Sequence, residues 1–277
     1  INFSLELLGI TLGSVVIIII GIIDDVRGLK AIPKLIGQIV ATLVIVAFGV
    51  RISILPHWPG EYILEVLVTL IWVVGITNAV NFLDGMDGLA SGIGIICSFC
   101  FFIIALQTKQ PYLAWLNMAL LGGCMGFLLY NWKPASIFLG DAGSTFIGFI
   151  LASAAIMGSY QVALKSVIVA GAIPVLVISV AIFDMIYTTI SRIKNRSVRS
   201  IKEWLEFTGK DHLHHRLVKL GFTERQTVLA IYAFSLTMGL GAIVLRKAGT
   251  MEAALLLIQA VFFYIVIAGL MWAGRKT

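Results

Sequence analysis

Long stretches without an ionisable side chain constrain this chain more than anything else in it. Val15–Ile23 is one unbroken apolar run, and a helix needs ~20 mostly apolar residues to cross a bilayer. Runs near that length are read at 3–23, 35–50, 62–77, 89–107, 112–130, 142–158, 165–190, 227–245 and 252–273. Only helices and closed β-barrels satisfy their backbone groups inside hydrocarbon. Barrel strands alternate apolar and polar residues, which these runs do not. The expected fold is therefore all-α: a polytopic transmembrane helical bundle of about nine spans, with residues 1–277 forming a single integral membrane domain. Composition agrees, with 60% hydrophobic and 12% charged residues where a soluble domain carries about 25% charged.

Lys and Arg orient such a chain, because cytoplasmic loops are enriched in them. One alternate set of loops holds Arg27, Lys30, Lys34, Lys133, the basic stretch Arg192–Arg225 and Arg275-Lys276. The other holds only Arg51, Lys109, Lys165, Arg246 and Lys247. The first set is thus expected to face the cytoplasm, with the protein in the inner (cytoplasmic) membrane. Net charge +6 comes from these loops; no basic stripe interleaved with stacking aromatics suggests nucleic acid. The chain begins at Ile1, and its first run has neither a basic leader nor a small-residue cleavage site, so it is not a secretory signal. It is read as lacking an N-terminal piece. Cys97 and Cys100 lie inside an apolar helix and read as packing cysteines.

Four polar clusters interrupt the hydrocarbon, all in the basic set of loops: Asp24-Asp25, Asn78–Gly88, Gly140–Ser144 and Asp211–Arg216. Ionisable groups beside a bilayer are expensive, so each is a functional-site hypothesis. Asp24 and Asp25 point about 100° apart on a helix and cannot serve one ligand equally. Lys30 and Lys34 follow and can neutralise phosphate.

Asn78, Asn81, Asp84 and Asp87 recur every third residue. Each step falls about 60° short of a turn, so the row converges only if Gly85 and Gly88 unwind the segment. These are hard oxygen donors suited to Mg²⁺. The blander reading is a polar turn between helices. Gly140-Asp141-Ala142-Gly143-Ser144 opens a helix whose N–H groups favour anions; Asp141 there implies a bridging cation, although a plain cap is the competing reading. In the last cluster His212 and His215 fall on one helical face, followed by Arg216 and Lys219. Without Cys or a second ligand pair, zinc is the weaker reading and contacts to a diphosphate the better one. Ile201, Trp204 and Leu205 mark a short interfacial helix in a cytoplasmic loop spanning 191–226. Asp184, deep in an apolar run, is given a structural or supporting role.

Together, the aspartate pair, NAVNFLDGMDG, GDAGS and DHLHHR resemble the polyprenyl-phosphate N-acetylhexosamine-1-phosphate transferases (the MraY/WecA/TagO superfamily). The HLHH pattern is closer to the WecA/TagO branch. The resemblance implies transfer of a HexNAc-1-phosphate, GlcNAc-1-phosphate being favoured, from a UDP-N-acetylhexosamine to polyprenyl (undecaprenyl) phosphate. UMP is released, and the product begins a cell-envelope polysaccharide. It implies Mg²⁺, with Mn²⁺ as an allowed substitute, at Asn81 and Asp141. It also implies catalytic roles for Asp24, Asp25, Asp84 and Asp87. Substrate contacts would come from Lys34, Asn78, Asn131, Phe138, His212, His214, His215 and Arg216. Gly28 stands where many relatives carry a polar residue, and about two further helices normally precede this start. A homodimer is left open. The competing class is a secondary transporter, which would place polar residues at the bilayer midplane within repeated halves; no repeat is visible here.

Overall fold

Backbone groups in hydrocarbon must be paired within their own segment, and the apolar runs resolve accordingly into helices. The computed structural model describes residues 3–53, 60–158, 167–198, 203, 209 and 211–276. Its helices are α1 Phe3–Arg27, α2 Ala31–Ala47, α3 Glu61–Leu83, α4 Leu89–Gln107, α5 Pro111–Asn131, α6 Gly140–Met157, α7 Val167–Val177, α8 Ser179–Lys194, α9 Leu213–Lys219, α10 Glu224–Leu245 and α11 Thr250–Lys276. No strand occurs among the described residues. The interfacial helix expected around Ile201, Trp204 and Leu205 lies outside them.

Among the described residues, seven helices are long and apolar enough to cross a membrane, so the protein is a multi-pass membrane bundle. Two expected spans differ. The 17 residues of α2 reach only about 25 Å at 1.5 Å per residue. The run expected at 165–190 is broken: α7 and α8 meet at 85°, turning at Ile178. Pro174, one turn earlier, removes a backbone donor from α7. Counted as one span, the bent pair gives eight.

Two close crossings place the polar helix ends. α1 packs on α2 and α6, and α3 on α6. At Gly21 an added Cβ would come within 2.8 Å of the Ala142 backbone nitrogen, so α1 can touch the start of α6 only without a side chain. At Gly148 an added Cβ would lie 2.8 Å from Thr77 Cα. One turn beyond these crossings sit Asp24-Asp25 on α1 and Asn81 on α3, both beside Gly140–Ser144. α4 packs against α5 and α10, and α9 docks on α10 and α11. Cys97, Cys100 and Cys124 are buried free thiols.

Candidate active site

The polar centre gathers around one cation. Lys34, in the first turn of α2, forms an ion pair with Asp24 Oδ2 and lies 3.2 Å from Asp141 Oδ2. Asp24 is buried at the end of α1, and its Oδ1 accepts the Leu29 N–H at 2.7 Å. From α3, Asn81 donates to Asp141 Oδ1 at 2.5 Å and to Ser144 Oγ at 2.8 Å. Segments far apart in sequence thus converge, on the side where α1, α3 and α5 end and α2, α4 and α6 begin.

Asp25 does something the sequence does not announce. Its carboxylate accepts the backbone N–H of Asp141 at 2.7 Å and of Ala142 at 3.2 Å. The positive start of α6, expected to receive an external anion, here holds one from the chain itself. Gly140, at φ +67, would bring an added Cβ within 2.6 Å of that carboxylate. The aspartate pair therefore divides its work, Asp24 to Lys34 and Asp25 to α6.

The row of four at period three fans out instead of converging. α3 stays helical through Leu83, so Asn78 and Asn81 point in different directions by ordinary helix geometry. Asn78 exchanges hydrogen bonds with Gln38 of α2 at 2.7 and 3.3 Å. Asp84 caps α3. Burial pushes its carboxyl up to about 7, with help from the charges on Asp141 and Asp25. Asp87 turns to the α5–α6 loop, accepting the Ala135 N–H at 3.2 Å and standing 3.8 Å from Lys133 Nζ. Lys133 is also paired with Glu224. Asn131 braces that loop: its Oδ1 accepts from Gly88 N at 3.0 Å and Ser91 Oγ at 3.1 Å, and its Nδ2 donates to Ile137 O at 3.0 Å. Phe138 is 77% exposed on the same loop.

The histidine segment meets this centre from the other side. His212 is the residue before α9, with Nδ1 2.7 Å from Asp184 Oδ2. His214 is 1% exposed and packs on Gly85, where any Cβ would collide with its ring. Both its ring nitrogens lack a partner; burial and the neighbouring His215 push its pKa down to about 3, so the ring is neutral at physiological pH. The His215 ring lies tilted against that of His214, with centroids 4.2 Å apart. Arg216 is buried, donating to the carbonyls of Asp211 at 2.5 Å and Met271 at 2.7 Å. The bond to Met271 docks α9 on α11.

Gln38, Ser91, Arg192 and Tyr232, whose hydroxyl donates to Gly88 O, join the site without having been singled out in sequence. One of them had a readable signal. Lys34, Gln38 and Thr42 are spaced i, i+4, i+8 on an otherwise apolar helix, a polar stripe aimed at one neighbour.

The Asp141 carboxylate suits Mg²⁺, which commonly takes one or two carboxylates and completes its shell with water and substrate phosphate; Asn81 turns its Nδ2 to Asp141 and would offer its oxygen to a cation after the amide turns over. No ready cage of three His, Cys, Asp or Glu exists among the described residues. That Asp24 and Asp141 already share one cation, Lys34, shows that the pocket favours positive charge.

Residues 7–159 match the family described as Glycosyl transferase family 4. The chain is similar to a protein of Bacillus subtilis (strain 168) named "Probable undecaprenyl-phosphate N-acetylglucosaminyl 1-phosphate transferase". Identity is 34% over 265 residues, covering 94% of this chain and 71% of that protein. The decaprenyl-phosphate N-acetylglucosaminephosphotransferase of Mycobacterium leprae (strain TN) is 35% identical over 250 residues, 80% of this chain and 60% of the relative. A phospho-N-acetylmuramoyl-pentapeptide-transferase of Desulforamulus reducens is 33% identical over 267 residues, 86% and 73%. The chain thus spans between 60% and 71% of the length of the first two relatives. A family match over more than half the chain, carried by the helices that build the polar centre, establishes that this membrane protein belongs to glycosyl transferase family 4.

Proposed function

We propose that the protein transfers an N-acetylhexosamine-1-phosphate, GlcNAc-1-phosphate foremost, from a UDP-sugar to polyprenyl phosphate at the cytoplasmic face of the membrane. The observation that carries this is the convergence of Asp24, Lys34, Asn81 and Asp141 where spanning helices end. There a lipid phosphate and a soluble nucleotide can meet. The names of the relatives, which act on undecaprenyl or decaprenyl phosphate, support the acceptor. The Lys/Arg asymmetry supports the cytoplasmic side.

In this reading an oxygen of the lipid phosphate bonds to the sugar-bearing phosphorus. The bond from that phosphorus to the bridging oxygen breaks, and UMP leaves. Phosphoryl transfer asks a protein mainly for positioning and charge neutralisation. Lys34 sits where it can attract either phosphate, with Asp24 holding its ammonium in place. Asp141 and Asn81 would hold Mg²⁺, or Mn²⁺, which when bound offsets the diphosphate charge. Asp84 is the best-suited proton acceptor, since a group held near neutral pH can both take and release a proton. Asp24 and Asp25 are already committed to Lys34 and α6. His214, buried against Gly85 with two unpartnered ring nitrogens, is the histidine that would meet the donor once the acidic turn moves to admit it.

A transporter would need a polar site near the midplane, whereas this one lies at helix ends. The deciding experiment is radiolabel transfer by the full-length protein, with polyprenyl phosphate and a panel of UDP-sugars. Labelled lipid and UMP in equal amounts support the reading. Release of UDP would mean ordinary glycosyl transfer and would reject it.

A further inference from the structure

His212 is held on both edges of its ring. Nδ1 lies 2.7 Å from Asp184 Oδ2, and Nε2 lies 3.3 Å from Arg192 Nη2. An ionised carboxylate only accepts hydrogen bonds and a guanidinium only donates them. A single arrangement satisfies both neighbours: Nδ1–H donates to Asp184, and Nε2 accepts from Arg192. The other neutral tautomer would set N–H against N–H on one edge and lone pair against lone pair on the other.

The partners are fixed in turn. Asp184 Oδ1 accepts the Leu213 N–H at 2.7 Å. Arg192 is clasped by Asp211 through Nε at 2.8 Å and Nη2 at 2.7 Å. Asp184, Arg192 and His212 are 1%, 5% and 8% exposed. A buried carboxylate is tolerated only when fully hydrogen-bonded, and here both oxygens are used. The His212 ring also lies 5.3 Å from that of Phe82, the residue after Asn81. The network therefore joins α8, the start of α9 and the end of α3.

His214 is the contrast. Its ring runs nearly parallel to His212, with centroids 6.0 Å apart and planes within 6°, yet neither nitrogen has a partner. We infer that His212 is a positioning residue and not a substrate ligand: Asp184 and Arg192 lock its tautomer, and the locked ring sets the plane in which His214 is held over the acidic turn. What His214 then does rests on the function proposed above; the lock itself does not.

The chain has four histidines, so full-length protein labelled with ¹⁵N-histidine gives a tractable set of ring signals. In the wild type, long-range ¹H–¹⁵N correlations should show His212 protonated at Nδ1 alone. A ring protonated at Nε2, or averaging between tautomers, overturns the proposal, and this needs no variant. Asp184→Leu should abolish the pure Nδ1–H signature, because it leaves neither His212 nor the Leu213 N–H with the acceptor that Asp184 supplies; an unchanged signature also overturns it. Saturating UDP-GlcNAc should shift the ring nitrogens of His214 and leave those of His212 in place. Equal shifts at His212 would make it a ligand and reject the inference. If neither ring shifts while His212 stays locked, the lock stands and the donor assignment fails. In kinetics, Asp184→Leu should raise the donor KM by ~10-fold, the low end for losing the outer partner of a functional histidine, with the acceptor KM unmoved. A drop in active protein alone would lower kcat and leave both KM values alone.

Discussion

Lys34 Nζ and Asp141 Oδ2 stand 3.2 Å apart although 107 residues separate them in the chain, and Asp24 shares the same ammonium. That bridge keeps two carboxylates together on one side of the bundle. Lys34→Met should reduce kcat/KM by ~10²-fold, the scale for removing one positioned electrostatic group. It should also lower the melting temperature, because Asp24 is left buried without its partner. Lys34→Met combined with Asp24→Asn should recover the melting temperature but not the transfer rate. Recovery of both would make the bridge purely structural.

Asp141→Asn and Asn81→Ala should each abolish transfer while the protein still elutes as a folded species in detergent. EDTA should inhibit the wild type, with Mg²⁺ restoring activity and Mn²⁺ substituting. Asp141→Asn removes a charged oxygen from the proposed metal site, and Asn81→Ala removes the amide held against it. Undiminished turnover by Asp141→Asn at saturating substrates would contradict the assignment.

Asp84 and His214 are pushed far from their ordinary pKa values in opposite senses, and their effects on stability oppose each other. Asp84 is raised from 3.8 to about 7, so the folded state holds its proton more tightly. Its contribution is full below pH 3.8 and is lost as pH rises towards 7. His214 is lowered from 6.5 to about 3, so the unfolded chain binds that proton first. Its contribution is present above pH 6.5 and is lost as pH falls, at roughly 1.4 kcal/mol per pH unit. Between about pH 4 and 6.5 the two slopes largely cancel. Thermal melts across that range should therefore be nearly flat for these groups in the wild type. His214→Gln should make stability fall with rising pH, and Asp84→Asn should make it rise. Parallel profiles for both variants would count against the assigned environments.

Cysteine introduced at Lys30 should resist an impermeant thiol reagent added to intact cells, whereas one at Lys109 should react. The three native cysteines are buried and give little background. The basis is the Lys/Arg asymmetry, and the opposite labelling pattern would invert the topology.

The bundle was legible because apolar length and backbone pairing leave few alternatives, and each polar cluster was visible as an interruption of hydrocarbon. What each cluster touches was not legible. Asp24 and Asp25 look equivalent in sequence; their partners, Lys34 and the start of α6, depend on the α1–α6 crossing at Gly21. Period three along Asn78, Asn81, Asp84 and Asp87 suggested one shared ligand, but the helix persists through Leu83 and sends the four apart. His212 and His215 were paired by helical spacing, yet α9 begins only at Leu213, so His212 lies outside the helix and turns to Asp184. Arg216 illustrates the same limit, since a buried guanidinium serving two backbone carbonyls looks identical in sequence to one waiting for phosphate.

The bend at Ile178 changes what depth means for the residues beyond it. Had α7 and α8 formed one straight rod, Asp184 would lie well inside the hydrocarbon with little to answer its charge. Turned by 85°, α8 sorts its side chains around its circumference. Asp184, Thr188 and Arg192 face inward at 1%, 2% and 5% exposure, and Ile186, Ile190 and Ile193 face outward at 49%, 58% and 61%. A charge that would have been a question of how far along the helix becomes one of which side, and the inward side is where His212 and the Leu213 N–H meet it.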